Sequence, residues 1–163
     1  MKKWHLLILL FVFGAQMIKA QTADITTGCS PLKVQFTAPD LTAYYWDFVE
    51  GNTSSTLTNP EHIFTTPGTY QVKLFEGEGG EEIGTIEIKV YNDPEISFDT
   101  DKTSGCSPLT VNFISHVVLD PDLVVEGYKW AFGDGSVSYD QNPTHNYIIE
   151  GTYSVSLEIT TNL

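Results

Sequence analysis

The residues of this chain whose types could do chemistry come in matched sets. His62 stands two positions after Asn59-Pro60, and His145 stands at the same spacing after Asn142-Pro143. An imidazole titrates near neutral pH, so such a residue could serve as a general base or a metal ligand. Its recurrence at one strand start in two copies points instead to a hydrogen-bonding role in the turn. His116 has no counterpart. Cys29 and Cys106 share the context Gly-Cys-Ser-Pro-Leu. Equivalent sites in tandem units lie far beyond the ~7 Å Cα limit of a disulfide, so the two are not expected to pair with each other. Asp134 lies between Gly133 and Gly135, and with Asp120 and Asp122 it offers oxygen ligands to Ca²⁺. No EF-hand spacing is present, and Gly-Asp-Gly suffices as a tight turn with positive φ. Ca²⁺ is the one cofactor these residues suggest; none other is expected. The chain has no Gly-x-Ser-x-Gly nucleophile turn, no His-Glu-x-x-His and no phosphate-cradling glycine loop. A glycosidase-type carboxylate pair would need a cleft. No catalytic residue is assigned, and the expectation is a non-enzymatic protein.

The elements that must position these residues form an internal repeat. Residues 130–157 open on Trp130-Ala131-Phe132, break at Gly133-Asp134-Gly135, turn again at Asn142-Pro143 and run from Gly151-Thr152 into Tyr153, Val155 and Leu157 at alternate positions. The same order occurs earlier as Trp46, Phe48, Asn59, Pro60, His62, Phe64, Gly68, Tyr70, Val72 and Leu74. The copies are 77 residues apart at the cysteines, 84 at the tryptophans and 83 at the prolines. The second copy therefore carries an insertion of about seven residues within 116–127, expected in a loop or hairpin. β-Branched and aromatic residues with frequent turns, and no helical periodicity beyond the N-terminus, give an all-β expectation. A buried Trp hides ~150–250 Å², so Trp46 and Trp130 are the expected core centres of two small domains.

The pattern resembles the polycystic-kidney-disease (PKD) domain, whose sequence runs roughly Y-x-W-D-F-G-D-G, then N-P-x-H-x-Y, then G-T-Y-x-V-x-L. The second copy reads Tyr128-Lys129-Trp130-Ala131-Phe132-Gly133-Asp134-Gly135, departing at Ala131. The first keeps Tyr44, Trp46, Asp47 and Phe48 but has Val49-Glu50-Gly51 in place of the Gly-Asp-Gly turn. The resemblance implies two tandem immunoglobulin-like β-sandwiches, at 21–92 and 93–163, joined at Asn92-Asp93-Pro94. It implies a spacer, display or adhesion module, as in the large secreted adhesins of gliding bacteria. The alternative it implies is an accessory region that positions a secreted hydrolase, protease or glycosidase, on a polymeric substrate. Copy one has a hairpin and closing strand over 76–91 for which copy two has no equivalent before Leu163, so further repeats of the chain are expected.

Residues 1–20 read as a signal peptide, with Lys2-Lys3, an apolar run and Ala20 before Gln21. The apolar run is shorter than the ~20 residues that span a bilayer, so no membrane insertion is expected after cleavage. Without Lys2, Lys3 and Lys19, five basic residues remain against 21 acidic ones, a charge of about −16 with no arginine. That balance excludes phosphate-backbone ligands, and with them nucleic acid. The expected location is secreted or at the cell surface, with protein or carbohydrate partners. Asn52-Thr53-Ser54 is a formal glycosylation acceptor, and Tyr44, Tyr45, Tyr128 and Tyr139 could stack on sugars.

Overall fold

The computed structural model describes residues 20–163, so the expected signal peptide lies, apart from Ala20, outside the described residues. The first domain contains β1 (Thr22–Ala23), β2 (Thr27–Cys29), β3 (Leu32–Thr37), β4 (Tyr45–Asp47), β5 (Ser54–Ser55), β6 (Glu61–Phe64), β7 (Gly68–Phe75) and β8 (Glu82–Tyr91). The second contains β9 (Glu95–Thr100), β10 (Leu109–Val118), β11 (Val125–Ala131), β12 (Val137–Ser138), β13 (Thr144–Tyr147) and β14 (Ser156–Thr161). One short 3₁₀ turn, Glu50–Asn52, is the sole helical element among the described residues.

In the first domain a sheet of order β1-β3-β6 faces a five-stranded sheet, β2-β8-β7-β4-β5. Alternation drives the packing: Leu32, Val34 and Phe36 are buried while Lys33 and Thr37 point to solvent. They meet Trp46, Val72, Leu74, Ile88 and Val90 of the opposite sheet in one core. The second domain repeats this with sheets β13-β10-β9 and β12-β11-β14. The register is conserved between the copies, with Trp46 opposite Leu74 and Trp130 opposite Leu157. Both tryptophans are fully buried, and each packs on a β-strand phenylalanine, Phe36 at 5.2 Å and Phe113 at 5.4 Å between centroids.

The insertion of copy two lengthens β10 and β11 relative to β3 and β4, together with the turn between them, which crosses from one sheet to the other and is not a hairpin. β10 pairs first with β13 and then, from Phe113 to Val118, with β9. The turn that follows carries Asp120, Pro121 and Asp122 before β11 begins. The difference in spacing between the tryptophans and the Asn-Pro turns arises in the Val49-Glu50-Gly51 turn, where copy one needs one more residue than Gly133-Asp134-Gly135.

One expectation is corrected. Tyr153 and Val155 do not belong to a ladder, because β14 starts at Ser156. In copy one the corresponding strand, β7, is held from Gly68 onward by pairing with β8, and no counterpart of β8 exists among the described residues of copy two. The first core accordingly has ten buried residues and the second five. Ile88 and Val90 have no twins, and Leu109, Val155 and Leu157 are only half-buried where Leu32, Val72 and Leu74 are covered.

Candidate functional site

The repeated polar residues converge at one end of each sandwich. The Trp-x-Phe strand and the strand after Asn-Pro lay Phe48 flat on His62 (4.3 Å, 4°) and Phe132 flat on His145 (4.1 Å, 5°). Phe64 meets His62 edge-on at 4.6 Å, and Tyr147 meets His145 in the same way at 4.6 Å. Tyr70 and Tyr153 extend the rows, and their hydroxyls donate to the carbonyls of Thr66 (2.7 Å) and Ile149 (2.8 Å), four residues upstream. This ties the corner ahead of each strand to its first aromatic residue, the device known as a tyrosine corner.

Each histidine is aimed at a turn carboxylate. His145 Nε2 lies 2.7 Å from Asp134 Oδ2, and His62 Nε2 lies 3.1 Å from Glu50 Oε2. An ionised carboxylate only accepts, so Nε2–H is the donor in both. Asp134 also accepts from the hydroxyl and the backbone N–H of Ser136, and with His145 these hold its carboxyl down at about 2. Burial pushes the Glu50 carboxyl up, but the backbone N–H groups of Thr66 (2.9 Å) and Thr65 (2.8 Å), with His62, leave it below the usual value. Glu50 is thus the counterpart of Asp134. The longer side chain spans a longer turn, which passes through Val49 at φ 67°. In copy two Gly133 (φ 84°) takes that place, where a Cβ would sit 2.6 Å from the Ser154 carbonyl oxygen.

Asn59 and Asn142 act at a distance. A turn asparagine is expected to bond to its own backbone; instead the side-chain oxygens accept from Ala38 N (3.1 Å) and Ser115 N (2.9 Å) on the neighbouring strand's side. The Pro60 and Pro143 carbonyls accept from Phe36 N and Phe113 N, both at 2.9 Å. Each Asn-Pro pair therefore clamps the strand that carries the core phenylalanine. Asp24 and Asp101 were not singled out by their sequence context, yet they accept from Gln35 N (2.9 Å) and Asn112 N (2.8 Å) on the same strands. The 77-residue offset relates both aspartates and both amides, and is the signal that could have found them.

Asp120 and Asp122, the other Ca²⁺ candidates, sit at the junction between the domains. Asp120 Oδ2 accepts from the backbone N–H of Asn92 (2.6 Å), and Oδ1 accepts from its side-chain amide (2.9 Å). Asp122 pairs with Lys89 of β8, whose ammonium also lies 5.1 Å from the Tyr91 ring centroid. The hydrogen bond to Asp122 pushes the Lys89 pKa up. The insertion of the second domain thus reaches back to the linker and to the last strand of the first. Asp134 is engaged elsewhere, by Ser136 and His145. Among the described residues no three His, Cys, Asp or Glu side chains are grouped to hold a metal ion.

Cys29 and Cys106 are both free thiols. Burial, then the charges of Asp93 and Asp120, push the Cys29 thiol up. Of the four tyrosines considered for sugar stacking, Tyr44 and Tyr128 pack on the cores and Tyr45 lies beside Phe75. Tyr139 is the one that stands out, 71% exposed. His116 is exposed and bonds Asp99 at 3.0 Å across the β10–β9 ladder. No helix among the described residues is long and apolar enough to cross a membrane.

Two sandwiches with the same register, aromatic row and carboxylate–histidine pair define a tandem array of immunoglobulin-like repeats. The PKD-domain family model matches residues 16–90 and again 91–162, and the chain belongs to that family. It is similar to a microbial collagenase of Vibrio alginolyticus, 45% identical over 51 residues, which is 31% of this chain and 6% of that protein. It is also similar to collagenase ColA of Bacillus cereus, 39% identical over 56 residues, 34% of this chain and 6% of that protein. The matched region thus spans about 6% of the length of these curated relatives. Among solved structures it is similar to the three N-terminal domains of the bacteriophage RB49 highly immunogenic outer capsid protein (14% identity, TM-score 0.37, 86% of this chain and 53% of that one). A second is the amphioxus IgVJ-C2 molecule (12% identity, TM-score 0.34, 83% and 98%).

Proposed function

We propose that the chain is a secreted spacer and display module, exported by the leader at residues 1–20, whose two PKD domains are held in a set orientation at or beyond the cell surface. The observation that carries this reading is the junction. A three-residue linker, Asn92-Asp93-Pro94, is grasped by Asp120 through two hydrogen bonds while Asp122 pairs with Lys89 across the domains. A freely bending tether would have no use for these bonds, and Pro94 stiffens the link further. The side chains that could do chemistry are spent on holding turns, which supports a non-catalytic role. Protein or carbohydrate partners would then meet exposed side chains such as Tyr139.

Residual dipolar couplings of both domains test the reading. A single inter-domain orientation is expected for the native chain, and a spread of orientations for Asp120→Ala/Asp122→Ala. Couplings that already demand many orientations in the native chain would end it.

The similarity to two bacterial collagenases favours one alternative, an accessory region that places a secreted hydrolase on an insoluble polymer. Cosedimentation with fibrillar collagen separates the two. Saturable retention of the folded chain supports the accessory role, and its absence leaves the spacer.

A further inference from the structure

Gly84 interrupts a row of side chains. In β8 the residues opposite Leu74, Val72 and Tyr70 are Gly84, Ile86 and Ile88, so Gly84 lies on the strand face that looks into the first core. Ile88 is fully buried there and Ile86 packs against the same cluster. Gly84 brings no side chain to it. The vacant place is taken from the opposite sheet by Gln21, the residue before β1. A Cβ on Gly84 would lie 2.1 Å from Gln21 Nε2 and 2.9 Å from both its Cδ and its Oε1. The glutamine amide thus rests on bare backbone, in the gap that the glycine leaves between the sheets.

The chain is tied down directly after this residue. Thr22 pairs with Thr37 and Ala23 with Phe36, and the Asp24 backbone N–H donates to the Gln35 carbonyl at 3.1 Å. Ala23 of β1 and Ile83 of β8 pack on the core, so the surroundings of the half-buried Gln21 are apolar. Gln21 is also the residue that removal of the leader makes the first of the chain. An α-ammonium created at this place would be partly desolvated, which favours the neutral amine. The neutral amine is a nucleophile, and in an amino-terminal glutamine the side-chain amide lies within its reach for closing a lactam ring.

We propose that Gln21 is a modification site: once the leader is removed it becomes pyroglutamate, and the neutral ring closes the first sandwich over Gly84. In this step the α-nitrogen attacks the side-chain Cδ. The N–Cδ bond forms, the Cδ–Nε2 bond breaks, and Nε2 leaves as ammonia, taking one proton from the amine. The reaction consumes no oxidant, reductant or second substrate. Its product has no charge to desolvate and no free amine, which protects an exported chain from trimming at its amino end. The inference rests on the leader reading of residues 1–20 and is independent of the spacer role, because Gln21 and Gly84 take no part in the inter-domain junction.

The test starts with the full chain recovered from cells that export it, digested with trypsin, and the mass of the amino-terminal peptide ending at Lys33. The expected peptide starts at Gln21 and is lighter than its sequence by one ammonia. A peptide that starts at Gln21 with a free amine would overturn the proposal and leave the leader reading intact, whereas a different first residue would overturn both. Equal cyclisation of a synthetic 21–33 peptide taken through the same handling would also overturn it. The seat is read on the folded full chain with pyroglutamyl aminopeptidase, which removes that ring alone. Gly84→Ala places a methyl where the Gln21 side chain lies, so release of the ring should be at least about tenfold faster than from the native chain, through lost local protection. Equal release rates would overturn the proposal, and the native-chain mass decides the modification whatever Gly84→Ala does to folding.

Discussion

His145 lies flat on Phe132 and points its Nε2 at Asp134, 2.7 Å away, so one imidazole joins the aromatic row to the turn that begins the motif. His62 does the same between Phe48 and Glu50. The histidine is a keystone for a turn, and the chemical potential of the carboxylate is used to hold the backbone.

The pH dependence follows from Asp134. Its folded pKa, about 2, lies below the ordinary 3.8, so its stabilising contribution is fully present above 3.8 and is lost as pH falls toward 2. Asp134→Asn should lower the melting temperature of the second domain at neutral pH and flatten its dependence on pH across that acid window. Thermal unfolding followed by circular dichroism over the window checks this; an unchanged acid slope would contradict it.

The two turns differ in strain. Val49 is a β-branched residue at φ 67°, in a region such residues avoid, whereas Gly133 occupies φ 84° freely. Val49→Gly should stabilise the first domain by about 1 kcal/mol. Gly133→Ala should destabilise the second by about 2 kcal/mol or more, from positive φ and the approach to Ser154. Urea titrations read through the single tryptophan of each domain would measure both.

The tryptophans are not equivalent. Trp130 Nε1 donates to the Asp140 carbonyl at 3.0 Å, while Trp46 Nε1 is buried with no partner among the described residues. Trp→Phe should therefore cost more at Trp130 than at Trp46, by about 1 kcal/mol beyond the shared loss of packing. Equal losses on denaturation would show that the hydrogen bond adds nothing.

Thiol labelling reports on the junction. Cys29 is partly buried and its thiol is pushed up by burial and by Asp93 and Asp120, whereas Cys106 is exposed. Iodoacetamide should modify Cys106 first, and Asp120→Ala should speed the reaction at Cys29 without changing Cys106. Mass spectrometry of a time course gives both rates.

The tandem sandwiches, the tryptophan cores, the linker and the existence of the insertion are legible in the sequence because each rests on spacing; that the insertion would extend two strands of different sheets is not. Trp46 and Trp130 sit in strands whose alternation leaves them one direction to face. What spacing cannot convey is the direction of a polar side chain that bonds far along the chain. Asn59 reads as a local turn former, yet its partner is Ala38; Asp120 reads as a possible metal ligand, yet its partner is the linker Asn92. Glu50 was hidden by the longer turn around it, although Val49-Glu50-Gly51 aligns with Gly133-Asp134-Gly135 once the extra residue is placed after it.

The parallel pairing of β2 with β8 sets how the first domain would carry tension. These strands lie near its two ends, and their three residue pairs run from Thr27–Lys89 to Cys29–Tyr91. A pull on the termini drags the two strands past each other along their length, loading every bond of that ladder at once rather than peeling them in turn. The second domain has no such latch among its described residues.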